Sequence, residues 1–170
     1  PSKGVFNLVT DTNEIKEINA LNGNQSIHEL NLGENKVGPK LTIKDMPNLT
    51  GVYAFRNGIN EFEFVGEYLK LKSLYIQGNP VEYLNLQNLK NLESLQLFEC
   101  DNLKTINFHI ETKLKQFFLI DIKVVNVSKT ENIRTVYLEK KSDPKNSPKV
   151  DSVKIAPTIR IKEGMIIKPN

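Results

Sequence analysis

The chain has little of what catalysis and cross-linking require. It holds one cysteine, Cys100, so no disulfide can form within it. That fits a reducing compartment, and equally a bacterial exterior, where many proteins avoid cysteine. His28 and His109 are the only histidines, and neither H-x-x-x-H nor C-x-x-C spacing occurs, so the common metal-ligand patterns are missing. There is no glycine-rich phosphate loop and no G-x-S-x-G elbow. No apolar run approaches the ~20 residues that span a bilayer. Pro1-Ser2-Lys3-Gly4 leads into no hydrophobic stretch of the signal-peptide kind. A strong charge of one sign is missing too: the net charge is +3 over 170 residues. The excess lies in residues 139–170, where eight Lys/Arg face four Asp/Glu. A basic tail without a basic face argues against nucleic acid as a partner.

What the chain does have is a globular composition, 39% hydrophobic and 25% charged, which excludes wholesale disorder. It also has an internal repeat. Rows beginning at Val5, Ile27, Leu49, Leu71, Leu92, Leu114 and Ile133 are spaced by 22, 22, 22, 21, 22 and 19 residues. In the first five rows the first, fourth and sixth positions read Val5-Leu8-Thr10, Ile27-Leu30-Leu32, Leu49-Val52-Ala54, Leu71-Leu74-Ile76 and Leu92-Leu95-Leu97. Fourteen of these fifteen are apolar, where the 39% background predicts about six.

The ninth column reads Asn13, Asn35, Asn57, Asn79 and Cys100. An x-L-x-L-x segment sends alternate side chains to opposite faces of a strand, so stacked coils form a parallel sheet over an apolar spine. A buried Asn after the strand offers two donors and an acceptor to backbone groups that the bend leaves unpaired. Cys100 fills the same volume, which makes it a structural residue.

The second halves repeat the pattern in Ile15-Ile18-Ala20, Ile59-Phe62-Phe64, Val81-Leu84-Leu86 and Leu103-Ile106-Phe108. They are short and alternate with period two, so strand-like return segments are expected instead of helices. The fold class is therefore mainly β, a right-handed solenoid with a parallel sheet and short strand-like returns.

The segment LKSLYIQGNPVEYLNLQNLKN resembles the bacterial leucine-rich repeats of 21–22 residues, in which both halves carry an L-x-x-L-x-L element. The resemblance runs over residues 5–139. It implies a secreted or cell-surface protein of binding or adhesive role, with a cytoplasmic location left open. Row six has Ile122 in place of the Asn, row seven has none, and row six is short, so the solenoid is expected to end there. The domain reading is a solenoid of about seven coils over 1–139, a loop over 140–149 carrying Pro144 and Pro148, and an irregular last repeat or capping hairpin over 150–170.

Candidate chemistry is sparse. Glu61 and Glu63 share one strand face and read as a solvated edge. Asn24-Gln25-Ser26, Asn48-Leu49-Thr50 and Asn126-Val127-Ser128 fit the glycosylation sequon, as chance matches do in an Asn-rich chain. The informative surface is the outward face of the first strand, at positions three, five and seven. From row three onward it gathers Tyr53, Phe55, Tyr75, Gln77, Gln96, Phe98, Phe118, Ile120 and Tyr137. Coils about 4.8 Å apart must bring these rings into one patch. The outward face of the return side, with Glu17, Asn19, Glu61, Glu63, Asn85, Gln87, Thr105 and Asn107, is polar. Exposed rings can simply support strand pairing, but the asymmetry points to a binding side. The expectation is a non-catalytic module that recognises a protein through Tyr53, Phe55, Tyr75, Gln77, Gln96, Phe98, Phe118 and Tyr137. Carbohydrate binding by the same rings and a structural spacer are the alternatives. No metal, cofactor or membrane insertion is expected.

Overall fold

The computed structural model describes residues 6–10, 12–120, 125–127, 136–139, 153–154 and 166–167; for Phe6, Gln116, 118–120 and the residues from 125 onward it describes the backbone. In chain order the strands are β1 (Phe6–Val9), β2 (Ile27–Asn31), β3 (Lys40–Lys44), β4 (Gly51–Tyr53), β5 (Glu61–Val65), β6 (Ser73–Tyr75), β7 (Tyr83–Leu86), β8 (Ser94–Gln96), β9 (Thr105–Phe108), β10 (Gln116–Ile120), β11 (Val125–Val127), β12 (Val136–Glu139), β13 (Val153–Lys154) and β14 (Ile166–Ile167). There is no α-helix among the described residues. The chain is a mainly β solenoid of coils about 22 residues long, as the periodicity implies. The loop expected over 140–149 lies outside the described residues.

The first strands of successive coils stack in the order β1-β2-β4-β6-β8-β10-β12, all parallel, and β13 closes the sheet antiparallel to β12. Their register keeps the fourth column continuous: Leu8, Leu30, Val52, Leu74, Leu95, Phe117 and Val136 are successive partners. A one-residue slip would turn Leu30, Val52, Leu74, Leu95 and Phe117 to the outer face, so burial holds the register. Leu30, Val52, Leu74, Leu95 and Phe117 are fully buried, as are Leu32, Ala54, Ile76 and Leu97 of the sixth column.

Strands β4, β6 and β8 stop at the fifth position of their coils, so the sixth and seventh residues lie beyond the ladder. The chain is turning: the eighth residue of each of the first five coils, Thr12, Glu34, Arg56, Gly78 and Glu99, has φ between 51° and 67°. Coil-to-coil hydrogen bonds nevertheless run through the bend, as from Arg56 N to Gln77 O at 2.9 Å and from Gly78 N to Phe98 O at 2.7 Å.

The ninth column finishes the turn. Asn79 donates to Ala54 O and Ile76 O, both at 2.8 Å, and accepts from Asn57 N and Ile59 N, both at 3.0 Å. Asn57 donates to Leu32 O and Phe55 O at 2.8 Å. Asn35 donates to Leu32 O at 3.0 Å and accepts from Ile15 N at 3.0 Å. Cys100 continues the column with Sγ 3.5 Å from Ile76 O.

The return halves form strands in coils two to six. Coil two was not part of the return pattern because Gly38-Pro39 shifts its apolar pair by one place; Leu41 and Ile43 nevertheless pair in register with Phe62 and Phe64. Tyr68 then ties the two coils, with Oη 2.6 Å from Ile43 O and its ring edge-on to Phe64 at 5.5 Å. Coil one departs from expectation. Ile15-Ile18-Ala20 is not a strand; Asn19–Leu21 is a 3₁₀ turn, and Ala20 is exposed. The segment Asn19-Ala20-Leu21-Asn22-Gly23-Asn24 is rich in side chains that compete with ladder bonding. Asn22 Oδ1 accepts from Lys44 N at 3.1 Å, and Asn24 Oδ1 accepts from Ser26 N at 2.8 Å and Ile27 N at 2.9 Å.

The return strands also do not make one sheet. β3 pairs with β5, and β7 pairs with β9 and through it with β11 and the antiparallel β14. Between β5 and β7 the ladder is broken, although the same two coils pair through β4 and β6 on the other side.

Candidate binding face

The outer face of the long sheet carries the candidate residues at the third, fifth and seventh positions of each coil. The fifth column is continuous in register: Asn31, Tyr53, Tyr75, Gln96, Phe118 and Tyr137 are successive partners. The seventh column follows beside it as Gly33, Phe55, Gln77 and Phe98, held coil to coil by the bonds through the bend. The structure thus brings six of the eight candidates together as described side chains. For Phe118 and Tyr137 it places the backbone in the same column, and their side chains lie outside the described residues.

These rings do not project. Tyr53, Phe55, Tyr75 and Phe98 are half-buried, as are Gln77 and Gln96. Tyr53 and Tyr75 meet edge to face with centroids 5.1 Å apart and planes at 79°. Such a pair contributes about 0.5–1.5 kcal/mol beyond its area. The rings can lie down because their neighbours are small. A Cβ placed on Gly33 would come within 2.1 Å of Phe55 Cζ, and one on Gly51 within 2.8 Å of Tyr53 Oη. On the far side Ser94 Oγ lies 3.4 Å from Tyr75 Oη. The outcome is a low aromatic surface moulded over Gly33, Gly51 and Ser94. Burial, and then the charge of Glu29, raises the Tyr53 hydroxyl above its ordinary pKa, so it stays a neutral donor. Gln77 Oε1 is buried on this face without a hydrogen-bond partner.

Ion pairs border the face on both sides. Along the second column Glu93 sits between Lys72 at 3.3 Å and Lys115 at 2.6 Å. Its carboxyl is held below the usual carboxylate value, chiefly by the Lys115 hydrogen bond. Along the eighth column Arg56 reaches Glu34 at 3.3 Å and Glu99 at 3.4 Å. Half-buried rings thus lie between two lines of charge.

Other titratable groups are engaged locally. His28 Nδ1 lies 2.9 Å from Ser26 O, and His109 Nδ1 accepts from Glu111 N at 3.0 Å. Glu61 and Glu63 share Lys40, at 2.7 and 3.0 Å. Lys40, with help from Thr42, holds the Glu63 carboxyl below its usual value. Burial pushes the Cys100 thiol up to about 11, so it is neither a nucleophile nor a thiolate ligand near neutrality. No group of His, Cys, Asp and Glu suited to a metal ion occurs among the described residues. None of the described helices is long and apolar enough to cross a membrane.

Comparison with family models, with curated proteins and with solved structures finds no match. The chain's repeat architecture therefore rests on its own periodicity and geometry. Sequence reasoning missed the posture of the rings. The signal was present in the seventh column, where Gly33 precedes Phe55, and in the third, where Gly51, Ser73 and Ser94 leave room beside Tyr53 and Tyr75.

Proposed function

We propose that the protein is a leucine-rich-repeat binding module of bacterial type, secreted or displayed at the cell surface, that recognises another protein through its aromatic sheet face. The repeat class is supported by the apolar columns and the asparagine ladder. The observation that carries the binding reading is the edge-to-face pair Tyr53–Tyr75. It lies at the centre of a half-buried apolar surface with Phe55 and Phe98, bordered by the Lys72–Glu93–Lys115 and Glu34–Arg56–Glu99 ion pairs. A broad sheet face of this kind suits a protein surface better than a small molecule. Tyr side chains lose little rotamer entropy for the area they bury, which favours them as anchors.

The test uses the immobilised protein to isolate a partner from native surface extract, followed by affinity measurement on the purified pair. Tyr75→Ala with Phe98→Ala is expected to weaken binding by at least about 2 kcal/mol. The return-side pair Glu61→Ala with Asn85→Ala should leave it intact. Loss of binding in the return-side pair, with retention in the aromatic pair, would place the interface on the wrong face and refute the proposal.

A further inference from the structure

The break between β5 and β7 opens a cleft of about 890 Å³ on the return side, within the size range of small-molecule sites. In the neighbouring coil pairs backbone bonds lace the return halves: Asn60 N bonds Pro39 O at 2.7 Å and Lys104 N bonds Glu82 O at 2.9 Å. No such lacing joins β7 to β5. The facing edges of these two strands therefore carry backbone groups that no ladder pairs.

The lining is mixed in a specific way. Phe62 and Phe64 form an apolar floor, and Tyr83 stands at the side as a ring half open to solvent, at 50%. Asn107 Nδ2 donates to Tyr83 Oη and holds the ring in place. Asn60, Asn85 and Asn102 bring amides that donate and accept. The carboxylates present are already matched: Glu61 and Glu63 by Lys40, and Glu82 by Lys104 at 2.6 Å. The cleft is dense in hydrogen-bonding groups yet has little unmatched charge. A metal ion finds no free carboxylate cluster there, and a phosphate finds no free cation. An extended peptide does not fit as a strand between the edges, because Asn88 Nδ2 bridges to Phe64 O at 3.0 Å and holds the coils together, whereas an inserted strand needs about 4.8 Å on each side.

We infer that this cleft is a binding site for a neutral oligosaccharide, whose C–H faces pack on Tyr83 and whose hydroxyls bond the amides and the unpaired strand edges. The inference is independent of the aromatic face: the cleft lies on the return side, and neither Tyr83→Ala nor Asn85→Ala alters a residue of that face. The experiment is titration of the intact protein with cellotetraose, maltotetraose, mannotetraose and N-acetylchitotetraose, read by calorimetry and by amide chemical shifts. At least one of them is expected to bind, with shifts centred on Tyr83 and Asn85. Tyr83→Ala is expected to lower the affinity about tenfold or more at an unchanged melting temperature, since the ring is half exposed. Asn85→Ala, also exposed, should weaken binding in the same direction and serves if Tyr83→Ala perturbs the fold. Tyr75→Ala should leave sugar affinity unchanged. Absence of binding by all four sugars, or binding that survives both Tyr83→Ala and Asn85→Ala, overturns the inference, as does shift mapping to the Tyr53–Tyr75 face.

Discussion

Replacing Asn79 by Ala tests the asparagine ladder directly. The side chain is 1% exposed and makes four bonds of 2.8–3.0 Å within and between two adjacent coils. Truncation strips the partner from two backbone N–H groups, of Asn57 and Ile59, and from Ala54 O. Ile76 O keeps only the weak contact from Cys100 Sγ. A buried group left unsatisfied costs about 1–3 kcal/mol, and relaxation or a water molecule recovers part of it. The expected loss is about 3 kcal/mol. Asn13→Ala is the matched control, because Asn13 is exposed at the end of the same column and donates to Thr10 O in its own coil. It should cost under about 1 kcal/mol. Urea denaturation followed by far-UV circular dichroism measures both. Amide exchange adds a site-resolved reading, since the Asn57 and Ile59 amides should lose protection in the Asn79 variant and keep it in the control. Equal stabilities for the two variants, or an Asn79 variant as stable as the parent, would refute the assignment of this column as the bond-bearing element of the turn.

Gly78→Ala should destabilise by about 1–2 kcal/mol, because Gly78 has φ +67° and a Cβ there would come within 2.7 Å of Arg56 Cγ; a thermal melt checks it. Cys100 should not react with a disulfide reagent at pH 8 in the native protein and should react at once in urea, since burial lifts its thiol to about 11; rapid native labelling would contradict its burial. Acid should weaken the fold. The carboxyls of Glu14, Glu63, Glu93 and Glu111 have folded pKa values below 4.5, so their contribution is complete above 4.5 and is lost as pH falls through the lower folded values. Melting temperature should therefore fall on acidification through that range and less so in high salt; a melt flat down to pH 3 would show that these exposed pairs contribute nothing.

The coil was legible because burial imposes a fixed period. Leu30, Val52, Leu74 and Leu95 recur at 21–22 residues, and the Asn column marks each bend. Features that depend on one residue's exception were not legible. Four of the five left-handed eighth positions are Thr12, Glu34, Arg56 and Glu99 instead of glycine, so only Gly78 announced the end of a strand. The strand of coil two was hidden by the single-residue offset at Gly38-Pro39, and the 3₁₀ turn of coil one by side-chain competition from Asn19, Asn22 and Asn24. On the candidate face, column membership of Tyr53, Tyr75 and Gln96 followed from the pattern. That the rings lie flat depends on what the adjacent coil lacks, at Gly33 and Gly51. The cleft beside Tyr83 depends on a ladder left unmade between β5 and β7, which an alternating pattern does not register.

The ion pairs among the described residues join positions 21, 22 or 23 apart, as in Glu14–Lys36, Lys40–Glu61 and Glu82–Lys104, with one exception. Arg56 stretches over Gly78 to Glu99, a separation of 43. Charge matching is thus written in units of whole coils. An insertion of two or three residues in a turn would therefore put the next coil out of phase and part the pairs that cross it. Loss of a whole turn keeps the phase but changes the partners: without coil five Lys72 would stand beside Lys115, and Arg56 would lose the Glu99 that it reaches across two turns.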